Sequence, residues 1–467
     1  MPDRERCFIA ERNRSASRAI TRTAHLLETR QDDRVLHDHR ARTADTGSPQ
    51  RGRWNAIRLS PALALLVLTQ ACFGPHYNQL KCGVGDSCPS GYTCRNGSCE
   101  SGPADDAATG DASIDAAIDA PADQLCAGTF VRICVKPPTS PMTLMTQPLN
   151  TVTSNLCVPY VATPPVDACV IAAVSITIPA GNKVSVIGSK RLILLSASSL
   201  TISGTLDAAS HRGGSAGPAG DSGPCSTSST NPTAAGQGGG GWGGSFGSPG
   251  GNGGSTAGGG IGGIAPPALA ITALGGGCSG GNGANVGGTT GGTGGRGGGA
   301  VALLANQQLL VDGAIDASGA GGNSGKLGSG GGGGGGAGGM IVIEAPVVRI
   351  SGICFANGGG GGEGGDASRD GNSGGEPAAP GVAAPGGSGA SAPAGDGGNG
   401  SFAAAGATTG QNGSGTGGGG GGGGGAGILK IISADLQNSG AVSPPPSQAT
   451  STRAETDRER MGSGQRP

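Results

Sequence analysis

Four segments of the chain decide its fold: RLILLSASSLTISGTLDA (191–208), AVALLANQQLLVDGAIDA (300–317), GMIVIEAPVVRISGICFA (339–356) and GILKIISADLQNSGAVSP (427–444). They align without a gap on a shared glycine, which is Gly204, Gly313, Gly352 and Gly440 in turn. Apolar residues recur at every second position around this glycine, a pattern typical of a strand with one buried face. An apolar run such as 192–195 or 340–343 precedes the alternating stretch. Each copy is therefore predicted to hold two short strands.

Stacking of these copies is the expected way to bury their apolar residues. A unit of two short strands cannot bury its apolar face alone, so neighbouring copies must cover one another. We therefore predict an all-β fold in which residues 191–446 form a parallel β-solenoid, or β-helix. Asn438 stands at an otherwise apolar position of the fourth copy, which indicates a cap.

Long glycine-rich inserts separate the copies. Residues 209–299 and 357–426 are nearly all Gly, Ser, Ala, Asn and Thr. Their composition favours disordered loops. Uninterrupted runs such as 330–336 and 417–425 instead favour packed polyglycine II helices, because glycine has no Cβ atom and lets neighbouring backbones approach. Both interpretations remain open from the sequence.

The composition of the whole chain argues against one compact globular enzyme. The 467 residues include 101 glycines and 30 prolines, and only 2% are aromatic. After the arginine-rich first 58 residues the chain is mildly acidic and has no basic patch. Nucleic acid is therefore not an expected partner, because its binding relies on clustered Lys and Arg.

An export signal is predicted to end at Cys72. Three arginines within 51–58 precede the apolar run 62–68, which is too short to span a bilayer and is followed by Ala71 and Cys72. Residues 1–71 are interpreted as an N-terminal extension and signal peptide, with the start codon assigned too far upstream. The signal resembles that of a bacterial lipoprotein, which implies lipidation of Cys72, although Thr69 replaces the usual leucine. The alternative is an ordinary signal peptide cut near Ala71.

The cysteines predict disulfides in three places rather than metal sites. Residues 72–100 are predicted to be a cysteine-rich module, in which the four cysteines after Lys81 lack zinc spacing. They resemble a small EGF-like or knottin-like module of open connectivity, for which a first-to-third and second-to-fourth pairing is one possibility. An acidic Ala/Asp linker (101–124) follows, then a leading β segment (125–190) that is either a hairpin or an opening coil. Residues 447–467 are predicted to be a disordered tail. The cysteines expected in disulfides are Cys82, Cys88, Cys94, Cys99, Cys126, Cys134, Cys157, Cys169, Cys225 and Cys278.

The order of these parts carries a family resemblance. A lipid anchor, a cysteine module, an Asp/Ala spacer and a glycine-interrupted β-repeat together resemble uncharacterised myxobacterial surface proteins. The glycine-rich body alone resembles PE-PGRS-type surface proteins. Both resemblances imply a cell-surface location and an adhesive or structural role, and neither implies any site residue.

Candidate catalytic residues are few. Only His76 and His211 follow the signal, so no catalytic triad can be assembled. Asp207 and Asp316 both stand three places after the repeat glycine, and stacked carboxylates are what polysaccharide lyases and glycosidases use. The simpler interpretation is that both aspartates begin turns by bonding local amides, that His211 is a solvated turn residue, and that Cys354 fills the core.

The sequence therefore predicts an exported, non-enzymatic protein of the outer membrane or cell surface, or a secreted one. Its expected role is structural or adhesive, with the membrane as a partner through the lipid anchor. Self-association and extracellular matrix or polysaccharide are the other partners considered, and no cofactor or metal is expected. The alternatives are a β-helix carbohydrate-active enzyme that uses Asp207 and Asp316, and a mostly disordered glycine-rich spacer.

Overall fold

The computed structural model describes residues 93–95, 98–100, 123–222, 225 and 229–449. The chain divides into two compact units, Met1–Thr109 and Gly110–Pro467. In the first unit, β1 (Thr93–Arg95) and β2 (Ser98–Glu100) form an antiparallel hairpin whose backbone places Cys94 opposite Cys99. The predicted signal, the lipidation site Cys72, the module cysteines Cys82 and Cys88, nearly all of the linker, and the tail from residue 450 lie outside the described residues.

The second unit contains three parallel six-stranded sheets, to which each coil of the chain adds one strand apiece. The first sheet contains β8 (Ala168–Ala173), β11 (Arg191–Ser196), β14 (Ala300–Ala305), β17 (Met340–Glu344), β20 (Ile428–Ile432) and β23 (Ser447–Ala449). The second contains β5 (Met142–Thr143), β9 (Ile176–Ile178), β12 (Ser199–Ile202), β15 (Gln308–Val311), β18 (Val347–Ile350) and β21 (Asp435–Asn438). The third contains β6 (Gln147–Asn150), β10 (Lys183–Ile187), β13 (Thr205–Asp207), β16 (Ala314–Asp316), β19 (Ile353–Phe355) and β22 (Ala441–Ser443). The predicted all-β stack of parallel strands is confirmed.

Each coil holds three strands, so the prediction of two strands per copy was wrong. The alternating stretch turns a corner at the shared glycine, which separates β12 from β13. Ile202 and Leu206, on either side of that corner, are both fully buried. A Cβ atom at Gly313 would lie 1.9 Å from the Gly204 carbonyl oxygen of the preceding coil, so the corner is closed to side chains. Apolar residues face inward on both sides of the glycine, so the sequence alternates across the corner as it would along one straight strand. The pattern therefore does not reveal the corner.

The gapless alignment predicts the register of every strand pairing between the four copies except one, that of β14 with β17. In the second and third sheets, Leu309 lies opposite Val348 and Ile315 opposite Cys354, as aligned. In the first sheet Val301 lies opposite Ile341, one residue beyond the aligned Met340. Strand β17 is buried on both faces, so its continuous apolar run carries no alternation to fix the register.

The interior of the coils is a continuous apolar core. Each sheet contributes a stack of equivalent inward side chains, and burial of each Leu, Ile or Val side chain stabilises the fold by about 1.5–3 kcal/mol. One such stack from each sheet is Cys169, Leu192, Val301, Ile341 and Leu429; Ile176, Leu200, Leu309, Val348 and Leu436; and Val184, Leu206, Ile315, Cys354 and Val442.

The leading segment forms both the opening coils and a cover for the first sheet. Strands β5, β6, β8, β9 and β10 already belong to the parallel sheets, so the segment opens the stack and is not a hairpin. The antiparallel strands β3 (Leu125–Ala127), β4 (Arg132–Val135) and β7 (Tyr160–Thr163) form a separate small sheet. Its apolar residues pack in one cluster with the outer face of the first sheet. Disulfides join Cys126 to Cys134 and Cys157 to Cys169.

All three glycine-rich inserts leave the stack at the same corner. Each follows a strand of the third sheet and returns into the first sheet, through residues 208–299, 317–339 and 356–427. They run as extended segments that bond to one another at every third residue. Gly332, Gly335 and Gly338 donate to the carbonyls of Gly419, Gly422 and Gly425, over 2.9–3.0 Å. We call this assembly of inserts the glycine bundle.

Residues 330–339 occupy the centre of the glycine bundle. The N–H groups of 331–339 donate in rotation to segments 278–284, 419–425 and 317–323, and the carbonyls of 330–337 accept from segments 292–298, 238–244 and 359–365. Six neighbours at a three-residue period match the symmetry of a helix with three residues per turn. The neighbours come from all three inserts, which are therefore interlocked.

None of the described residues forms a helix that is long and apolar enough to cross a bilayer.

Candidate functional site

Asp207 and Asp316 lie opposite each other on β13 and β16, at the corner where the glycine bundle begins. The Asp207 side chain is only 6% exposed, and its carboxylate accepts hydrogen bonds from Lys183 Nζ at 2.8 Å and His211 Nε2 at 3.3 Å. Burial by itself would raise the pKa of Asp207, but the hydrogen bonds from His211 and Lys183 outweigh it and lower the pKa to about 2. Asp207 is therefore a fixed negative charge.

Asp316 behaves in the opposite way. Burial raises the pKa of its carboxyl group to about 7, and the nearby charge of Asp207 adds to this effect. One oxygen accepts a hydrogen bond from the Ser318 amide at 2.9 Å, just as Asp207 accepts one from the Ala209 amide at 3.2 Å. Both aspartates therefore bond the amide two residues further on, which is the turn-forming role predicted for them.

His211 is an exposed turn residue, as the sequence predicted, but its ring also has two ionic partners. Its ring bridges Asp207 and Glu376, with Nδ1 2.9 Å from a Glu376 oxygen. Hydrogen bonds to these two carboxylates raise the pKa of His211 to about 10, so the imidazole is protonated at neutral pH. The Arg212 amide donates to Glu376, and the Arg212 guanidinium donates to the Gly374 carbonyl. These contacts tie the first insert to the third.

The titratable side chains that meet at this corner are Asp207, Asp316, His211, Glu376 and Lys183. Two adjacent carboxyl groups with pKa values of about 2 and about 7 could serve as a fixed charge and a proton donor. Asp207, however, already has protein partners on two sides. Within the described residues, no group of three or more His, Cys, Asp or Glu side chains is arranged to hold a metal ion.

Three other acidic residues of the glycine bundle, Glu363, Asp366 and Asp370, have structural partners. Glu363 is fully buried, and its carboxylate accepts hydrogen bonds from the amides of Asn372, Ala390 and Ser391 at 2.8–3.1 Å. The Ser391 hydroxyl also donates to Asp366, which lowers the pKa of Asp366 to about 2. These carboxylates hold the loops of the third insert in place through hydrogen bonds. Asp370 does the same for the second insert by pairing with Lys326 and the Leu327 amide.

The cysteines of this unit are structural. Cys225 is bonded to Cys278, which fastens two parts of the first insert to each other. Cys354 is a free, fully buried thiol on the inward face of β19, and burial raises its pKa to about 12. Its predicted role as core filler fits this position, since a neutral buried thiol is unreactive.

A pocket of about 250 Å³ opens beside His211. It lies between the start of the first insert, the returning segment 293–296 and the second insert at 320–323. Its charged lining residues are His211, Arg212 and Arg296. Sequence reasoning did not single out Arg212, Arg296 or Glu376, because residues from separate inserts meet here only through the interlocked bundle.

No family model matches the chain, and neither a curated protein nor a solved structure matches it.

Proposed function

We propose that the protein is an exported, non-enzymatic surface protein whose glycine bundle is a rigid polyglycine II element standing on a β-solenoid. The single observation that supports this most is the six-neighbour hydrogen bonding of residues 330–339. Such a bundle presents side chains only at its periphery and holds them on a fixed backbone lattice. A fixed lattice suits a structural or adhesive role better than it suits a catalytic one, which calls for a shaped site with convergent groups.

The cysteine chemistry supports export. Three disulfides join six of the seven cysteines between residues 123 and 449, and the seventh is buried. Disulfides persist in oxidising compartments outside the cytoplasm. The proposed location is the outer membrane or cell surface, through a lipid on Cys72, with secretion as the other route.

Mass spectrometry of the mature N-terminus tests the location. We expect the mature chain to begin at a diacylated Cys72. We also expect it to stay with the cells and not to appear in the medium. A Cys72→Ser chain should lose the lipid and be released. An unmodified Met1 on a chain retained in the cytoplasm would overturn the proposal.

Hydrogen exchange tests the rigid bundle against a disordered spacer. Each amide of residues 331–338 donates a hydrogen bond to a neighbouring segment. We therefore expect these amides to exchange as slowly as those of β14 and β17. Exchange of these amides within seconds, with protected solenoid strands, would establish the spacer instead.

A carbohydrate-active enzyme is the second candidate, because the stacked Asp207 and Asp316 carboxyls have pKa values that differ in the way acid and base pairs do. Cleavage of polysaccharides by the wild-type protein, abolished in both Asp207→Asn and Asp316→Asn, would favour this candidate. We expect no such cleavage.

A further inference from the structure

The pocket beside His211 differs from the rest of the glycine bundle in charge. Three cationic side chains line it, whereas the surrounding walls are glycine and alanine backbone at 294–295 and 320–321. Hydrogen bonds to Asp207 and Glu376 keep His211 protonated at neutral pH. The two carboxylates bind His211 itself, and neither Asp207 nor Glu376 lines the pocket.

The two arginines have donors to spare. Arg296 makes no side-chain hydrogen bond or ion pair with any residue in the described part of the chain. Arg212 commits one guanidinium nitrogen to the Gly374 carbonyl, and its other guanidinium N–H groups have no acceptor among the described residues. A guanidinium group binds carboxylates and sulfates through two parallel hydrogen bonds, so both arginines are suited to an anion.

Other charges around the pocket do not cancel this excess. Lys183 Nζ contacts the same Asp207 oxygen as His211 Nε2 and offsets the charge of Asp207. Asp316 adds little negative charge below its raised pKa of about 7. Asp221 lines the neighbouring pocket that Arg296 also borders, but it accepts hydrogen bonds from the Ser279 hydroxyl and the Gly297 amide.

Neutral polar groups accompany the cations. The Asn323 amide donates to the Thr293 hydroxyl at 2.6 Å, so the Thr293 hydroxyl keeps its own proton to donate. The amide of Gly321 in the same lining donates to no acceptor in the described chain. An anion with neighbouring hydroxyl groups would find partners for both kinds of group here.

We propose that this pocket binds an anionic sugar residue, carrying a carboxylate or a sulfate ester, as part of an acidic polysaccharide. A volume of about 250 Å³ is below the usual range for drug-sized ligands and suits one such residue. The inference names a ligand class for the proposed adhesive role and rests on that role for its biological setting. Binding by the purified protein does not depend on export, so the two proposals can fail separately.

Titration calorimetry with the purified full-length protein tests the pocket, using polygalacturonate, dextran sulfate and neutral dextran as probes. We expect binding of one or both acidic polymers, weakened by salt, and none of dextran. Arg296→Gln should weaken that binding about tenfold without changing the melting temperature, because the Arg296 side chain has no partner to lose among the described residues. Arg369→Gln, which removes an exposed arginine elsewhere on the bundle, is the matched control.

Three outcomes would overturn the inference. The first is no binding of either acidic polymer. The second is equal loss of binding in Arg296→Gln and Arg369→Gln, which would indicate non-specific charge attraction. The third is binding of inorganic sulfate or phosphate with no binding of either polymer, which would indicate a simple ion site. Preference between polygalacturonate and dextran sulfate identifies the carboxylate or the sulfate as the recognised group.

Discussion

The solenoid and the glycine bundle form their backbone hydrogen bonds in different ways. In the solenoid, each inner strand bonds to two neighbours in a sheet, and side chains at a period of two fill the interior. In the bundle, each central segment bonds to six neighbours at a period of three, and almost no side chain lies between them. The solenoid is therefore stabilised mainly by what its side chains bury, and the bundle by the close approach that missing side chains allow.

This difference predicts that the two regions tolerate opposite substitutions. Removing volume should damage the solenoid, whereas adding a single methyl group should damage the bundle.

The largest expected effect is a cavity in the solenoid core. Leu309 is fully buried, and the adjacent Leu310 on the same strand is partly exposed on the opposite face. We expect Leu309→Ala to lower the free energy of unfolding by about 3–4 kcal/mol and Leu310→Ala by less than about 1 kcal/mol. Chemical denaturation of both variants measures the difference. Equal losses would mean that the inward and outward faces are assigned wrongly.

Adding one methyl group at the centre of the bundle should have the next largest effect. A Cβ atom at Gly334 would lie 1.7 Å from the Trp242 carbonyl oxygen, whereas one at Gly406 would meet nothing within 4 Å. We expect Gly334→Ala to cost about 2–3 kcal/mol and to raise the exchange rates of neighbouring bundle amides. Gly406→Ala should stay within about 0.5 kcal/mol of the wild type. A harmless Gly334→Ala would argue against close packing of the bundle.

At the junction of the two regions, the half-buried Asp316 should make stability depend on pH. Its folded pKa of about 7 lies above its ordinary value of 3.8, so stability is highest below about pH 4 and falls as the pH rises through 7. Asp316→Asn should therefore raise the melting temperature at pH 8, by the equivalent of about 1–2 kcal/mol, and change it little at pH 4. Asp312→Asn, which alters an exposed aspartate of the same coil, is the control. A gain of equal size at both pH values would refute the ionisation of Asp316 as its cause.

The smallest expected effect concerns His211, which links the solenoid corner to the third insert. Its folded pKa of about 10 lies above the ordinary 6.5, so its stabilising contribution is complete below pH 6.5 and disappears as the pH rises through 10. His211→Gln should lower the melting temperature slightly at pH 6 and not at pH 10.5. We expect less than about 1 kcal/mol, because the side chain is about half exposed to solvent. A deficit that persists at pH 10.5 would point to lost packing rather than lost charge.

The candidate site could be predicted only in part. The alignment of the copies placed Asp207 opposite Asp316, and the structure has that pairing. It also indicated the turn-forming hydrogen bonds of both aspartates, because an Asp before a small residue commonly bonds an amide two places on. Glu376 lies 165 residues from His211, inside a low-complexity stretch whose path no local pattern fixes. The ionic partners of His211 therefore could not all be predicted from the sequence.

What the sequence by itself determined is the stack of coils and most of its register. Alternating apolar residues on a shared glycine are a local signal, and any structure that buries them must stack the copies at equivalent positions. Tertiary structure decided the corner at that glycine, the one-residue shift of β17 and the path of the inserts. A corner at which the residues on both sides face inward leaves the alternation unchanged. The apolar run of β17, buried on both faces, has no polar–apolar alternation to fix its register. Segments of repeated glycine are alike in sequence, so the sequence does not determine which neighbours each segment packs against.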